Sequence, residues 1–173
     1  MKQQFFPLSI AILTIASATP AIAQHGVFGS DGGFDIFFNT PRRVLIETGR
    51  CPRCDLTRLE LPDADLPQAD LTAADLRHAN LSGSNLRDAS FRFANLANAN
   101  LRDANLQDAS FREANLEDAD LRNANLESVY LEDANLTGAD LTGANVSLVN
   151  LDNAQYCETI MPDGSLRNDD CDR

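Results

Sequence analysis

From Leu56 to Leu151 an apolar residue occupies every fifth position of the chain, without one insertion. These twenty positions hold 17 Leu, two Phe and one Val, and the residue two before them is Ala in 15 cases. An α-helix repeats about every 3.6 residues and a β-strand about every 2, so neither explains a period of five. A chain that turns a corner every five residues does explain it. Each unit then buries its apolar residue only against neighbouring units, as in a solenoid.

Single units such as Ala104–Asp108 (ANLQD) and Ala109–Glu113 (ASFRE) resemble the A(D/N)LXX repeats of the pentapeptide-repeat family. The resemblance covers about residues 54–156. It implies an all-β fold, a right-handed quadrilateral β-helix (solenoid) with four pentapeptides in each coil. Twenty units then make about five coils, stacked about 4.8 Å apart like neighbouring strands.

A coil of twenty residues places Phe91 and Phe111 in successive layers of one side, where we expect them to stack. The residue two before each Phe is Ala, whereas Val129 and Val149 stand at that position beside the Leu centres of the next two coils. This exchange of volume is typical of a densely packed interior. The predicted core stack comprises Leu86, Phe91, Leu96, Leu101, Leu106, Phe111 and Leu116.

Residues 1–23 have the pattern of a secretory signal peptide. Lys2 supplies a positive start, Phe5–Ala16 is apolar, and the small-residue pattern Ala21–Ala23 precedes Gln24. Cleavage near Ala23/Gln24 predicts an extracytoplasmic protein, in the periplasm, the thylakoid lumen or the surrounding medium. It also predicts no stable membrane insertion once the signal is removed. The alternative interpretation is a retained N-terminal anchor.

The other segments outside the repeat are predicted to form an arm and two caps. Residues 24–40 are rich in Gly and Phe and form either an arm packed on the fold or a flexible leader. Residues 41–53 form a short N-terminal helical cap, because Thr40-Pro41 is typical of a helix start and Gly49 of a helix end. Residues 157–173 form the C-terminal cap, which contains a Pro-Asp-Gly turn. Both caps also look like the ends of exported pentapeptide-repeat proteins common in cyanobacteria.

Four cysteines allow three disulfide pairings. On the stacked fold that the resemblance implies, Cys51 and Cys54 lie at the opposite end from Cys157 and Cys171. Bridges between the ends would exceed the Cα separation of about 7 Å that a disulfide tolerates. We expect a 157–171 bridge to close the C-terminal cap of an exported protein. Three interpretations stay open for the 51–54 pair: a disulfide, a thioredoxin-like redox pair and half of a zinc site.

Charge and missing motifs limit the classes of function. The chain has 26 acidic and 14 basic residues and a formal net charge of -12, which argues against nucleic-acid binding. The sequence contains no Gly-rich phosphate loop, no metal-spaced His cluster and no nucleophile elbow. It therefore predicts a non-enzymatic protein without catalytic or metal-binding residues and without a cofactor.

Two functional hypotheses remain. The first is a rigid structural or protein-interaction scaffold with an unknown protein partner. For this hypothesis Phe93 and Tyr130, which break the polar pattern of the outward positions, are possible contact residues. The alternative is an acidic DNA mimic that inhibits or protects a DNA topoisomerase, as the resemblance implies for some members. Export argues against mimicry, because topoisomerases are cytoplasmic. The binding target and the oligomeric state are left open by the sequence.

Overall fold

The computed structural model describes residues 40–150 and 152–171. The signal peptide predicted at residues 1–23 lies outside the described residues, as does all of the predicted arm except Thr40. Helix α1 spans Pro41–Thr48, strand β1 spans Thr159–Ile160 and strand β2 spans Leu166–Arg167. A regular pattern of turns and single β-bridges fills the chain between the helix and the strands.

The bridges run between residues that are twenty positions apart. The residue before each repeat centre pairs in parallel with its counterpart one coil later, from Arg50–Asp70 to Asp140–Ile160. The backbone N–H of each centre from Cys51 to Leu141 donates to the coil above, as from Leu101 to the Asp120 carbonyl oxygen at 2.8 Å. The bridges form four columns, so every coil has four sides and the fold is a quadrilateral β-helix.

Each corner is a β-turn that places one residue in the left-handed region of backbone space. The N–H of the residue three after a centre donates to the carbonyl of that centre, as from Ala104 to Leu101 at 3.1 Å. The second turn residue has a φ between 53° and 61° at nineteen residues other than glycine. This conformation costs a residue with a Cβ about 1–2 kcal/mol. From Arg53 to Gly143 the N–H of each second turn residue donates to the next coil, and these hydrogen bonds offset that cost.

The core is a column of Leu, Phe and Ala side chains. The rings of Phe91 and Phe111 are stacked, with centroids 4.6 Å apart and an interplanar angle of 4°. Val129 is fully buried beside Leu131, which fits the expected exchange of volume. All seven residues of the predicted core stack have 0% exposure, namely Leu86, Phe91, Leu96, Leu101, Leu106, Phe111 and Leu116.

Helix α1 begins and ends as its sequence predicts. The Thr40 side-chain oxygen accepts a hydrogen bond from the backbone N–H of Arg43 at 3.3 Å, and Pro41 occupies the first turn. Gly49 ends the helix with a φ of 69°, where its N–H donates to the Leu45 carbonyl. Leu45 is fully buried in the same apolar cluster as the coils, so the helix joins the core at the N-terminal end of the ladder.

The ladder runs from Arg50 to Ile160 and so extends beyond the predicted range 54–156 at both ends. Cys51 and Tyr156 occupy repeat-centre positions and are both buried, with 1% and 3% exposure. The N–H of Cys51 donates to the Asp70 carbonyl at 2.8 Å, as any other centre does. The apolar series from Leu56 to Leu151 did not include these two centres, because Cys and Tyr stand where the pattern has Leu, Phe or Val.

Beyond the last bridge the chain turns back as a hairpin. Strands β1 and β2 pair antiparallel, with Thr159 opposite Arg167 and Ile160 opposite Leu166. The connecting turn contains Gly164, whose φ of 82° favours glycine. The second strand therefore lies on the outer edge of the last rung on that side of the coil.

Both disulfides that the stacked fold permits are formed. The Cα atoms of Cys51 and Cys54 are 5.4 Å apart, and this bridge closes one corner of the first coil. The Cα atoms of Cys157 and Cys171 are 4.7 Å apart, and this bridge ties the C-terminal segment to the last coil. Of the three interpretations left open for the 51–54 pair, the structure has the disulfide.

Candidate interaction surface

The two aromatic residues predicted as partner contacts lie on the same side of the β-helix. Phe93 is 48% exposed and Tyr130 is 43% exposed. Phe93 is a turn residue two coils before Tyr130, which corresponds to about 10 Å along the axis. We call this side the aromatic face. It consists of the turn residues that follow its repeat centres and of the ladder residues Asp70, Ser90, Ser110, Tyr130 and Asn150.

Arg112 lies between the two aromatic residues and is held in place. Its guanidinium donates to both carboxylate oxygens of Glu132, at 2.9 Å from Nε and 2.8 Å from Nη2. Its guanidinium carbon lies 4.8 Å from the centroid of the Tyr130 ring. Asn150 completes the cluster by donating from Nδ2 to Glu132 Oε1 at 2.9 Å. The hydrogen bonds from Arg112 lower the pKa of Glu132, so this carboxylate stays ionised.

Phe93 is held in a conformation that ordinarily disfavours bulky residues. Its φ is 60°, and its N–H donates to the Arg112 carbonyl at 3.0 Å. The guanidinium carbon of Arg92 lies 5.5 Å from the centroid of its ring. Tyr and Arg are enriched among the residues that dominate binding at protein interfaces, and exposed rings with neighbouring guanidinium groups match that composition.

The other sides of the β-helix are mostly occupied by polar groups that satisfy one another. On one of them, Asn145 donates to Asn125, Asn125 to Asn105 and Asn105 to Asn85, at 3.0–3.2 Å. Asn85 then donates to Asp65 at 2.7 Å. Side-chain amides that bond along the stack in this way use their donors and acceptors within the fold.

Several carboxylates are paired with an arginine in the same pentapeptide. Arg77 donates to Asp75 at 2.7 Å, and Arg122 pairs with Asp120 in the same way. Hydrogen bonds from these arginines lower the pKa of both aspartates. Groups held ionised in this way are suited to a charged surface and not to exchanging a proton near neutral pH.

Sequence reasoning identified the aromatic residues and missed Arg112 and Glu132. A signal was available, because these residues of opposite charge are twenty positions apart and so occupy adjacent coils of one column. The described part of the chain contains no group of three or more His, Cys, Asp or Glu residues arranged to hold a metal ion. It also contains no helix that is long and apolar enough to cross a membrane.

The four-sided ladder of bridges defines a solenoid, and the aromatic face is one of its sides. Comparison with known proteins agrees: residues 46–121 and 88–161 match the family model of the pentapeptide repeat region. The chain belongs to the pentapeptide-repeat family. The fold is accordingly the right-handed quadrilateral β-helix that the sequence resemblance implied. No curated protein matches the chain.

Solved structures include similar cyanobacterial proteins. HetL of Nostoc sp. strain PCC 7120, a pentapeptide repeat protein involved in heterocyst differentiation regulation, is 34% identical over 68% of this chain, with a TM-score of 0.67. The chain spans 55% of HetL. Rfr23 of Cyanothece 51142 is 32% identical over 68% of this chain and 95% of its own, with a TM-score of 0.66. A thylakoid-lumen protein of Arabidopsis thaliana is 28% identical over 70% of this chain and 72% of its own, with a TM-score of 0.30.

Proposed function

We propose that the protein is an extracytoplasmic, non-enzymatic scaffold that binds a protein partner through the aromatic face. The observation that carries this proposal is the row of Phe93, Arg112 and Tyr130 on one side of a backbone whose successive coils are hydrogen-bonded to one another there. Rigid display of aromatic and Arg side chains lowers the entropy that binding must overcome. About five coils, with α1 and the C-terminal segment as caps, form the scaffold.

Export is part of the same proposal. We infer that residues 1–23 are a signal peptide, that residues 24–40 form an arm and that the mature chain starts near Gln24. The two disulfides support export, because disulfides persist in oxidising compartments and are rare in the cytosol. Fractionation of the native cell followed by N-terminal sequencing tests this inference. A mature N-terminus upstream of Gln24, or recovery in the cytoplasm with free thiols, would contradict it.

Binding is tested by a crosslinking pull-down from the compartment that contains the mature protein. The double variant Phe93→Asn/Tyr130→Ser removes both rings, and Asn suits the positive φ at position 93. We expect the double variant to lose at least about nine-tenths of the captured partner, since central aromatic contacts contribute 2 kcal/mol or more. The matched control is Asp103→Asn, a turn position with a φ of 57° ten residues further along the coil. Equal capture by both variants would refute the aromatic face as the binding surface.

The alternative, an acidic DNA mimic of a topoisomerase substrate, predicts a different result. A mimic needs a uniform negative rod, and Arg77, Arg112 and Arg122 neutralise carboxylates in the middle of this one. Recovery of a topoisomerase with the protein, abolished by added DNA, would favour mimicry over the scaffold.

A further inference from the structure

The C-terminal segment covers only part of the last coil. Strand β2 pairs with β1 on one side. On the preceding side, the Asp170 N–H donates to the Tyr156 carbonyl at 2.9 Å, and the Glu158 N–H donates to Asn168 Oδ1 at 2.7 Å. The 157–171 disulfide holds this segment in place. Residues 144–149, which we call the open rung, come earlier in the chain than both of these sides, and the C-terminal segment does not pair with them.

Below the open rung the hydrogen bonds are complete. Asn145 donates to the Ala124 carbonyl at 3.0 Å, and its own carbonyl accepts from Leu126 at 2.8 Å. Above it, in the part of the chain that the structure describes, the N–H groups of Val146 and Leu148 have no acceptor. In the four preceding coils of this side, the N–H of each centre and of each second turn residue donates to a carbonyl of the next coil. The open rung lacks these two bonds. The open rung is therefore an unpaired sheet edge of the kind that accepts an added strand.

The same rung exposes apolar side chains. Leu148 is 82% exposed, the largest value among the exposed large hydrophobic residues. Val146 and Val149 are only partly buried, although the equivalent residues one coil below, Leu126 and Val129, are buried. An added strand along this side would complete the burial of Val146 and cover Leu148.

The charge around the open rung selects the occupant. From residue 123 to residue 166 the sequence has seven acidic residues and no Lys, Arg or His. Arg112 and Arg122 pair with two of them, Glu132 and Asp140, and the other five make no ion pair within the described residues. Glu127 lies one coil below Ser147, and Asp152 follows the rung. A second copy meeting the same end would bring like charges together, whereas a cationic segment is attracted.

We propose that the open rung binds an extended, basic and apolar segment of another protein as an added parallel strand. The first residue of the segment donates to the Ala144 carbonyl and accepts from Val146. The next residue points inward and packs on Val146. The third residue accepts from the N–H of Leu148 and points its cationic side chain outward. This is a second surface, separate from the aromatic face, so either proposal can fail alone.

The test uses the full chain and a labelled peptide, acetyl-Lys-Leu-Lys-Val-Lys-amide, followed by fluorescence anisotropy. The control peptide has the same composition with alternate D residues, which puts charged and apolar side chains on one face and prevents strand pairing. We expect the all-L peptide to bind one per chain and about tenfold more tightly than the control. Equal binding of the two peptides would show simple charge attraction and overturn the proposal, as would self-association of the chain through this end with no peptide binding.

Two variants and a site-resolved measurement locate the peptide. Leu148→Asn keeps the positive φ of 58° and removes the apolar side chain, and we expect about fivefold weaker binding. Phe93→Asn, the matched change at a φ of 60° on the aromatic face, should leave peptide binding unchanged. Amide hydrogen exchange at Val146 and Leu148 should slow by about tenfold with peptide, while Gly143, already bonded to the Pro162 carbonyl at 2.9 Å, stays constant. Equal loss of binding in both variants, or no protection at Val146 and Leu148, would contradict the assigned site.

Discussion

At the scale of single residues, the fold depends on a conformation that most side chains avoid. The second turn residue is left-handed at every corner, and only three of these positions hold glycine, at Gly83, Gly138 and Gly143. Asp and Asn fill many of the others, which fits their greater tolerance of this region. Ala73 also occupies such a position, with a φ of 57°, although Ala lacks the tolerance of Asp and Asn for this region.

Replacing Ala73 with Asn should therefore stabilise the protein. Asn adopts positive φ at a lower cost than Ala, and the position is partly exposed, so the amide remains solvated. We expect the free energy of unfolding to rise by about 0.5–1 kcal/mol, measured by denaturant unfolding. The control Ala74→Asn buries an amide at a position with 1% exposure and should destabilise the protein. A lower stability for Ala73→Asn would contradict the view that the turn conformation carries a cost.

At the scale of elements, coils are joined by side-chain ladders as well as by backbone bonds. Asn105 is in the middle of one ladder, where it accepts from Asn125 at 3.1 Å and donates to Asn85 at 3.2 Å. Asn145 is at the end of the same ladder, where it donates to Asn125 at 3.0 Å. The loss of unfolding free energy on removing an amide should therefore depend on whether the residue lies in the middle or at the end of the ladder.

Asn105→Ala should lower the free energy of unfolding by about 1–2 kcal/mol, because it removes both ladder bonds and leaves the neighbouring amides without that partner. Asn145→Ala removes one ladder bond at an exposed position and should cost less than half as much. Thermal or denaturant unfolding of the two variants makes the comparison. Equal losses would show that the amides act independently of the stack.

The C-terminal disulfide is the second element whose contribution can be measured. The chain-entropy estimate for a closed loop of this length is about 3 kcal/mol, for a sequence separation of 14. We expect Cys157→Ser/Cys171→Ser to lose about that amount, together with faster amide exchange at Asp170, whose N–H bonds the Tyr156 carbonyl. Unchanged exchange at Asp170 would mean that hydrogen bonds alone hold the segment.

The repeat made much of this architecture predictable, and the ends were less so. Leu at every fifth position fixes which side chains point inward, and the twenty-residue coil places Phe91 on Phe111. The path of the C-terminal segment depends on nonperiodic contacts such as Tyr156 with Asp170, so the repeat carries no information about it. The open rung was missed for the same reason. Val146 and Leu148 belong to a unit that fits the repeat, and only the path of the segment after it shows that no coil pairs with it.

At the scale of the whole molecule, acid should weaken contacts between coils. Because Arg112 lowers the pKa of Glu132 below its usual value of 4.5, folding favours the ionised form. The resulting stabilisation is present above the unfolded-state pKa and is lost as pH falls through the lower folded-state value. Protonation also reduces the repulsion among the excess negative charges, which stabilises the fold as the pH falls. The difference in stability between two variants at the same pH cancels this effect and isolates the contribution of the Arg112–Glu132 pair.

The difference in unfolding free energy between the natural chain and Glu132→Gln should be positive at pH 7 and shrink as the pH is lowered below about 4. Asp133→Asn is the matched control, since it removes the same charge from an exposed neighbour that makes no ion pair within the described residues. A difference for Glu132→Gln that is independent of pH would contradict the role given to the Arg112–Glu132 pair.

Site-specific photo-crosslinking in the native cell tests whether the aromatic face of the exported protein contacts a partner. A photoreactive phenylalanine analogue is placed at position 93 on the aromatic face or, as the matched turn position, at 103. We expect one discrete protein adduct in the extracytoplasmic fraction from position 93 and no such adduct from position 103. The same adduct from both positions, or recovery of a position-93 adduct only in the cytoplasm, would contradict the claim that this exported scaffold binds its partner through the aromatic face.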